Sequence, residues 1–62
     1  MKEYIDFLFE DTETGEEFLV EVENTPNAKR EEIEIARENF ENPILLRRVS
    51  VEDAEWMGLD TY

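Results

Sequence analysis

The fold of this chain is decided by residues 4–23, which read YIDFLFEDTETGEEFLVEVE. Apolar and polar side chains alternate in both halves of this stretch, as is typical of β-strands with one buried face. The polar run between the halves contains Gly15 and predicts a turn, so the two strands are expected to form a β-hairpin. The side chains predicted to point inward are Ile5, Phe7, Phe9, Phe18, Val20 and Val22.

A helix is predicted to follow the hairpin. Thr25 and Pro26 suit an N-cap followed by proline at the first helical position, and Asn27 is an alternative cap. The hydrophobic period is helical from Ala28 to about Glu41, and Pro43 ends the helix because the residue before proline avoids helical angles. The apolar side of this helix comprises Ile33, Ala36 and Phe40, flanked by Ala28 and Ile35.

Residues 44–51 are rich in branched side chains and predict a third strand. Ile44 and Leu46 would lie on one face of this strand, together with the polar Ser50 at its end. The opposite face is therefore favoured as the inward one. This strand can pair beside the first strand, antiparallel, to give the order 2-1-3, or beside the second strand in parallel. The residues predicted to point inward are Leu45, Val49 and Val51.

A short helix is predicted from about Val51 to Met57. Ser50 and Asp53 resemble a capping box, and Gly58 is well placed as the C-terminal glycine. The predicted fold is therefore α+β, with the order β-β-α-β and a short C-terminal helix; one long helix packs on one face of a three-stranded sheet. The apolar residues expected to fold back on the core are Trp56, Met57, Leu59 and Tyr62.

Length and charge narrow the functional class. The 62 residues suffice for a single small domain, residues 1–62, and 18 acidic residues against 6 basic ones give a net charge of -12. This charge argues against direct binding to nucleic acid or anionic membranes, which are polyanions, and favours a basic protein surface as partner. The chain has no long apolar run, and residues 1–4 do not resemble a signal peptide, so a cytoplasmic protein is expected.

The chain lacks most of the residues that usually perform catalysis. The chain has neither histidine nor cysteine, its glycines are isolated, and its single serine, Ser50, is explained as a helix cap. Residues 11–16 faintly resemble a calcium loop, but glycine falls at position 5 instead of 6, and Val22 occupies the position of the bidentate glutamate. We therefore expect no enzyme activity and no catalytic, metal-binding or cofactor-binding residues.

The acidic residues form rows on the predicted elements. Carboxylates on alternate strand positions lie about 7 Å apart, similar to the distance between phosphates two steps apart on a DNA strand. Such a row can occupy a site built for phosphates, whereas a solvated acidic surface that maintains solubility is the alternative. The residues predicted to bind a partner are Asp6, Glu17, Glu21, Glu23, Glu34 and Glu38.

The sheet face away from the long helix is predicted to carry an apolar patch. Such a patch on an open sheet favours self-association, for example as a homodimer. In the alternative, the C-terminal segment with Trp56 and Tyr62 folds over this face. The residues predicted for self-association are Tyr4, Leu8, Leu19, Ile44 and Leu46.

The short length, the β-β-α-β order and the ending EDAEWMGLDTY, residues 52–62, resemble small acidic proteins encoded by bacteriophages and other mobile elements. That group includes anti-restriction and anti-CRISPR inhibitors, several of which occupy nucleic-acid-binding surfaces with carboxylates. The resemblance implies an inhibitor or adaptor that blocks a basic site on a host defence protein. It matches no functional motif residue by residue, so it assigns no site residue.

Overall fold

The computed structural model describes residues 2–62; Met1, part of the N-terminal segment considered above, lies outside them. The three strands form one sheet in the order β2-β1-β3, and both outer strands are antiparallel to β1. The α+β class, the β-β-α-β order and the placement of the third strand beside the first are thus confirmed. The elements are β1 Tyr4–Asp11, β2 Glu16–Glu23, α1 Ala28–Asn39, β3 Pro43–Val49 and α2 Val51–Met57.

The main core lies between the hairpin and α1. The hairpin register runs from the pair Tyr4–Glu23 to the pair Asp11–Glu16, and it places all six predicted inward side chains on the α1 side, where they are buried. The rings of this core stack, with 5.4 Å between the centroids of Phe9 and Phe18 and 3.9 Å between those of Phe18 and Phe40. The alternation of residues 4–23 therefore predicted this layer correctly.

The acidic hairpin loop is held by a buried carboxylate. One oxygen of Asp11 accepts hydrogen bonds from the backbone N–H groups of Glu13, at 3.4 Å, and Asn42, at 3.3 Å. The other oxygen accepts one from the hydroxyl of Thr14, at 3.2 Å. The side chain of Asn42 also donates to the hydroxyl of Thr12. These bonds attach the hairpin turn to the segment that enters β3, so this loop has a structural role.

The helix α1 is shorter than predicted at its C-terminal end. Asn27 occupies the N-cap position, although its side chain makes no capping bond, and its backbone N–H donates to the hydroxyl of Thr25, at 3.2 Å. Pro26 therefore precedes the helix. Phe40 is extended, with φ -138° and ψ 149°, so the helix ends at Asn39 and the Phe40 ring packs against the sheet.

A β-bulge interrupts the pairing of β3 with β1. Leu8 pairs with Arg47, but the next residue of β1, Phe9, pairs with Leu45. Leu46 is therefore an extra residue on β3, and two residues oppose one at this point. Such an insertion reverses the alternation of side chains on the two sides of the strand.

The bulge overturns the predicted inward face of β3. Leu45 pairs with a residue of the α1 side, whereas Val49 lies on the opposite side of the sheet and packs in a cluster with Leu8 and Leu19. Val51 is not in the strand at all, because it is the first residue of α2. The three residues therefore do not share a face.

The helix α2 covers the second face of the sheet. Its ends are as predicted: the hydroxyl of Ser50 accepts a hydrogen bond from the backbone N–H of Asp53, at 3.1 Å, and Gly58 adopts the left-handed conformation with φ 65°. A second, smaller core forms beneath it, so the sheet is covered on both faces. The residues that α2 and the following turn pack against this core are Ala54, Met57 and Leu59.

Residues 60–62 pair with the outer edge of β2. The N–H of Leu19 donates to the carbonyl of Asp60 and the N–H of Tyr62 donates to the carbonyl of Leu19, both at 2.9 Å. The ring of Tyr62 meets Phe18 and Phe40 edge-on, with centroid distances of 5.6 and 5.4 Å. This segment closes the β2 edge and leaves β3 as the open edge of the sheet.

Candidate acidic binding face

Charges are segregated between the elements. The strands β1 and β2, the helix α2 and the segment after it contain no lysine or arginine. Both β2 and α2 place carboxylates on the side of the sheet that α2 covers, and together these form what we call the acidic face. We define the acidic face by Glu17, Glu21 and Glu23 of β2 and by Glu52, Asp53 and Glu55 of α2.

The predicted partner-binding residues do not form one surface. Glu17, Glu21 and Glu23 lie on the sheet face that α2 covers, as their pairing with β1 shows. Glu34 and Glu38 are exposed on α1, which packs on the other face of the sheet. The predicted row on the strand and the predicted row on the helix therefore lie on opposite sides of the sheet.

Asp6 is buried and is not part of the exposed surface, contrary to the prediction. Its side chain is only 1% exposed, and neither carboxylate oxygen has a hydrogen-bond partner among residues 2–62. Burial raises the pKa of this carboxyl, and the charge of Glu21, its cross-strand partner, raises the pKa further. Asp6 therefore cannot offer a charge to a flat partner surface.

Asp6 lies in the wall of a pocket beneath the acidic face. The pocket has a volume of about 200 Å³ and is bounded by the sheet on one side and by α2 and the C-terminal segment on the other. Three carboxyl groups contribute to its lining, and no basic residue does. Its lining residues are Asp6, Glu21, Val51, Ala54, Glu55, Gly58, Leu59 and Thr61.

The predicted apolar patch is partly covered. Leu8 and Leu19 are buried under α2, and Leu19 is only 1% exposed, so these two residues do not lie on an open face. The C-terminal segment covers the middle of this face through Ala54, Met57 and Leu59. Trp56 and Tyr62, which the alternative interpretation placed there, do not cover it, because Trp56 is exposed and the Tyr62 ring packs against Phe18 and Phe40. Tyr4, Ile44 and Leu46 remain exposed, the last two on the open β3 edge.

Trp56 does not fold back on the core, contrary to the prediction. It is 89% exposed, whereas Met57 and Leu59 pack against the sheet as expected. The helical period explains this difference, because the inward side of α2 is used by Ala54 and Met57 and leaves Trp56 on the outward side. A large aromatic ring therefore stands among the carboxylates of α2.

Glu32 is a buried carboxyl that the sequence analysis missed. It is 2% exposed, and its Oε2 atom has no hydrogen-bond partner among the described residues. Burial raises its pKa to about 7, although the nearby Lys29 opposes this shift. The burial of Glu32 could have been predicted from its position, which is four residues from both Ala28 and Ala36 in the middle of the apolar side of α1.

Residues 2–62 contain no group of three acidic, histidine or cysteine side chains that could hold a metal ion. Within the same residues, neither helix is long and apolar enough to cross a bilayer. Comparison with protein-family models, curated proteins and solved structures gave no significant match. The acidic face and the pocket beneath it are the chemically distinctive features of this surface.

Proposed function

We propose that this protein is a non-catalytic binding protein whose acidic face occupies a basic surface on a protein partner. The observation that carries the proposal is the excess of carboxylates on this face, because β2 and α2 supply carboxylates and neither contains a basic residue. The basic residue that borders the face is Arg47 of β3, which lies beside Glu17. Complementary potentials of this kind steer association and select partners. In its finer form, the partner surface is a nucleic-acid site on a host defence protein, and the protein acts as an inhibitor.

The exposed Trp56 supports a protein partner. Tryptophan is among the most frequent hot-spot residues of interfaces, and its ring attracts arginine and lysine through cation–π contacts. Trp56 is surrounded in α2 by Glu52, Asp53 and Glu55, which are also exposed. An aromatic anchor beside carboxylates suits a partner surface rich in arginine.

A non-catalytic role is supported by the functional groups of this chain. The chain has no histidine or cysteine, and the hydroxyl of Ser50 accepts the capping bond of α2. The two hollows on the α2 side of the sheet, of about 200 Å³ at Asp6 and about 480 Å³ beside Leu8 and Met57, are lined by no histidine, cysteine or serine. The functional groups of this chain therefore favour binding over turnover.

Charge reversal on the acidic face tests this proposal. Protamine, an arginine-rich DNA-binding protein, serves as the probe, and fluorescence anisotropy follows the displacement of labelled duplex DNA from it. The combined variant Glu17→Lys, Glu23→Lys, Glu52→Lys is expected to need roughly tenfold more protein for the same displacement, since each reversal weakens the interaction by about 0.5 kcal/mol. The variant leaves the lining of the Asp6 pocket unchanged.

A matched control carries the same net charge. The variant Glu31→Lys, Glu34→Lys, Glu38→Lys reverses three exposed charges on α1, on the opposite side of the sheet. We expect it to displace DNA nearly as well as the unmodified protein. Equal weakening in both variants would show that only total charge matters and would contradict the assignment to the acidic face.

Self-association through the β3 edge is a second candidate, and one observation favours it. Residues 60–62 close the β2 edge, whereas β3 is open and exposes Ile44, Leu45 and Leu46. Antiparallel pairing of two β3 strands would extend the sheet and cover these side chains.

Light scattering at low and moderate salt tests the second candidate through the molar mass. If the edge pairs, the protein is a dimer that persists when salt is added, and Ile44→Lys converts it to a monomer. Tyr4→Lys, on an exposed apolar residue of β1, leaves the dimer intact. A monomer at high micromolar concentration would exclude this candidate.

A further inference from the structure

The strand β3 presents free backbone groups at the open edge of the sheet. In an antiparallel sheet, successive residues of the central strand direct their backbone bonds alternately to its two neighbours. The carbonyl of Glu3 accepts a bond from the N–H of Asn24, so the odd-numbered residues that follow in β1 also bond toward β2. Leu45 and Arg48 pair with odd-numbered residues of β1, and their N–H and C=O groups therefore point away from the sheet. An incoming strand can bond to them.

A hollow of about 480 Å³ lies beside this edge, on the side of the sheet that α2 covers. Its apolar lining comes from Leu8 of β1, Leu46 of β3, Met57 of α2 and Leu59 of the following turn. Leu46 is the extra residue of the bulge, and it stands half exposed between the hollow and the open edge. A strand added to β3 can therefore place a side chain past Leu46 into the hollow, and the lining favours an apolar one.

Two carboxylates face each other at one end of this hollow. Glu10 and Glu17 are directly paired across β1 and β2, and like charges in such a pair repel each other. On β3, the residue opposite Glu10 is the apolar Ile44, whereas Arg47 lies opposite Leu8. Glu10 is two residues from Leu8 along β1, a distance of about 7 Å. A basic side chain two positions along an added strand from the apolar one is therefore placed to reach both carboxylates.

We propose that an extended segment of the basic partner adds to β3 as a fourth strand, with an apolar side chain in the hollow and a basic one against Glu10 and Glu17. This inference rests on the proposed function and names the segment that anchors that interface. In strand addition, main-chain bonds give affinity, and pockets for alternate side chains give specificity. A second copy of the chain fits less well, because it brings another net charge of -12 to the same edge.

Two capped seven-residue peptides of equal composition, TLTKTLT and TLKTTLT, test the inference by NMR titration of the isotope-labelled protein. In the extended TLTKTLT, lysine lies on the same face as both leucines, whereas the second peptide has it on the other face. We expect TLTKTLT to bind roughly fivefold more tightly, as a favourable cross-strand charge contact would give. The methyl signal of Met57 should shift, since this side chain lines the hollow.

Hydrogen exchange detects the added strand itself. The amide hydrogens of Leu45 and Arg48 should exchange roughly tenfold more slowly when TLTKTLT occupies about nine-tenths of the protein, because the new backbone bonds protect them. The amide hydrogens of Arg47 and Val49 serve as the reference. These two residues pair with even-numbered residues of β1 and already bond toward that strand, so their exchange should change much less.

Charge removal at the two facing carboxylates tests the position of the lysine. Glu10→Gln combined with Glu17→Gln is expected to reduce the preference for TLTKTLT to less than about twofold. Glu52→Gln combined with Asp53→Asn is the matched control, because it removes the same charge from exposed positions on α2. The control should retain the fivefold preference. Thermal melts check that both variants fold.

Equal affinity of the two peptides overturns this assignment, as does unchanged exchange at Leu45 and Arg48. Slow exchange there without peptide, together with the molar mass of a dimer, would place a second copy at the edge and also overturn it. The proposed function survives these results if charge reversal at Glu17, Glu23 and Glu52 still weakens displacement of DNA from protamine. Failure to displace DNA, with the peptide preference retained, would overturn the proposed function and leave the strand site intact.

Discussion

Replacement of Glu32 by leucine is expected to raise the free energy of unfolding by about 2 kcal/mol at pH 8, the approximate cost of a buried polar group without a partner. Burial raises the pKa of Glu32 in the folded protein to about 7, above its ordinary value of 4.5. The folded state therefore holds this proton more tightly than the unfolded state. The resulting stabilisation is fully present below pH 4.5 and is lost as the pH rises through 7.

The unmodified protein should consequently lose stability between pH 5 and pH 8, and Glu32→Leu should lose much less. The raised pKa of Asp6 adds to the same trend and persists in the variant. Urea unfolding at both pH values measures the effect. Glu32→Gln should reduce the pH dependence in the same way, because it also cannot ionise.

The control for this prediction is Glu31→Leu, which removes the same charge from the exposed neighbouring position. It is expected to change the free energy of unfolding by less than about 0.5 kcal/mol and to retain the pH dependence. If Glu32→Leu showed the pH dependence of the unmodified protein, Glu32 would have to be ionised or solvated in the folded state, contrary to its burial.

Replacement of Phe18 by alanine is expected to reduce the free energy of unfolding by about 4 kcal/mol, within the usual range for a buried phenylalanine. Phe18 is completely buried, and its ring contacts the rings of Phe9, Phe40 and Tyr62. It therefore joins β1, the end of α1 and the C-terminal segment. Because natural domains are stable by only about 5–15 kcal/mol, we expect this small variant to be largely unfolded at 37 °C.

Far-ultraviolet circular dichroism and urea unfolding measure this loss. Phe18→Leu should be the milder change and should stay folded, so that its smaller loss remains measurable. Tyr4→Ala, which removes a ring that is half exposed at the start of β1, is the control and should cost less than about 1 kcal/mol. A Phe18→Ala protein as stable as Tyr4→Ala would refute the central position of this ring.

Patterns within single segments predicted most of the fold. The alternation in β1 and β2 identified the buried face of the hairpin, because a strand places successive side chains on opposite sides. The start of α2 followed from Ser50, whose side chain caps the helix, and its end followed from Gly58, whose backbone adopts the left-handed conformation. In both cases the cause lies within a few residues along the chain.

The inward face of β3 was predicted wrongly because the bulge at Leu46 depends on how β3 aligns with β1. Fitting two strands together involves contacts between residues far apart in the chain, and one extra residue reverses every side chain beyond it. Residues 60–62 likewise pair with the edge of β2, and no pattern within these three residues predicts that pairing.

The candidate site divides in the same way. The sequence by itself determined the excess of carboxylates and the absence of basic residues from β2 and α2, because composition and segment charge do not depend on folding. Only the tertiary structure decided which carboxylates are exposed to solvent. It buried Asp6 and Glu32 and left Trp56 exposed, because burial depends on which elements pack over a residue. That packing converts an acidic surface into a face with a pocket beneath it.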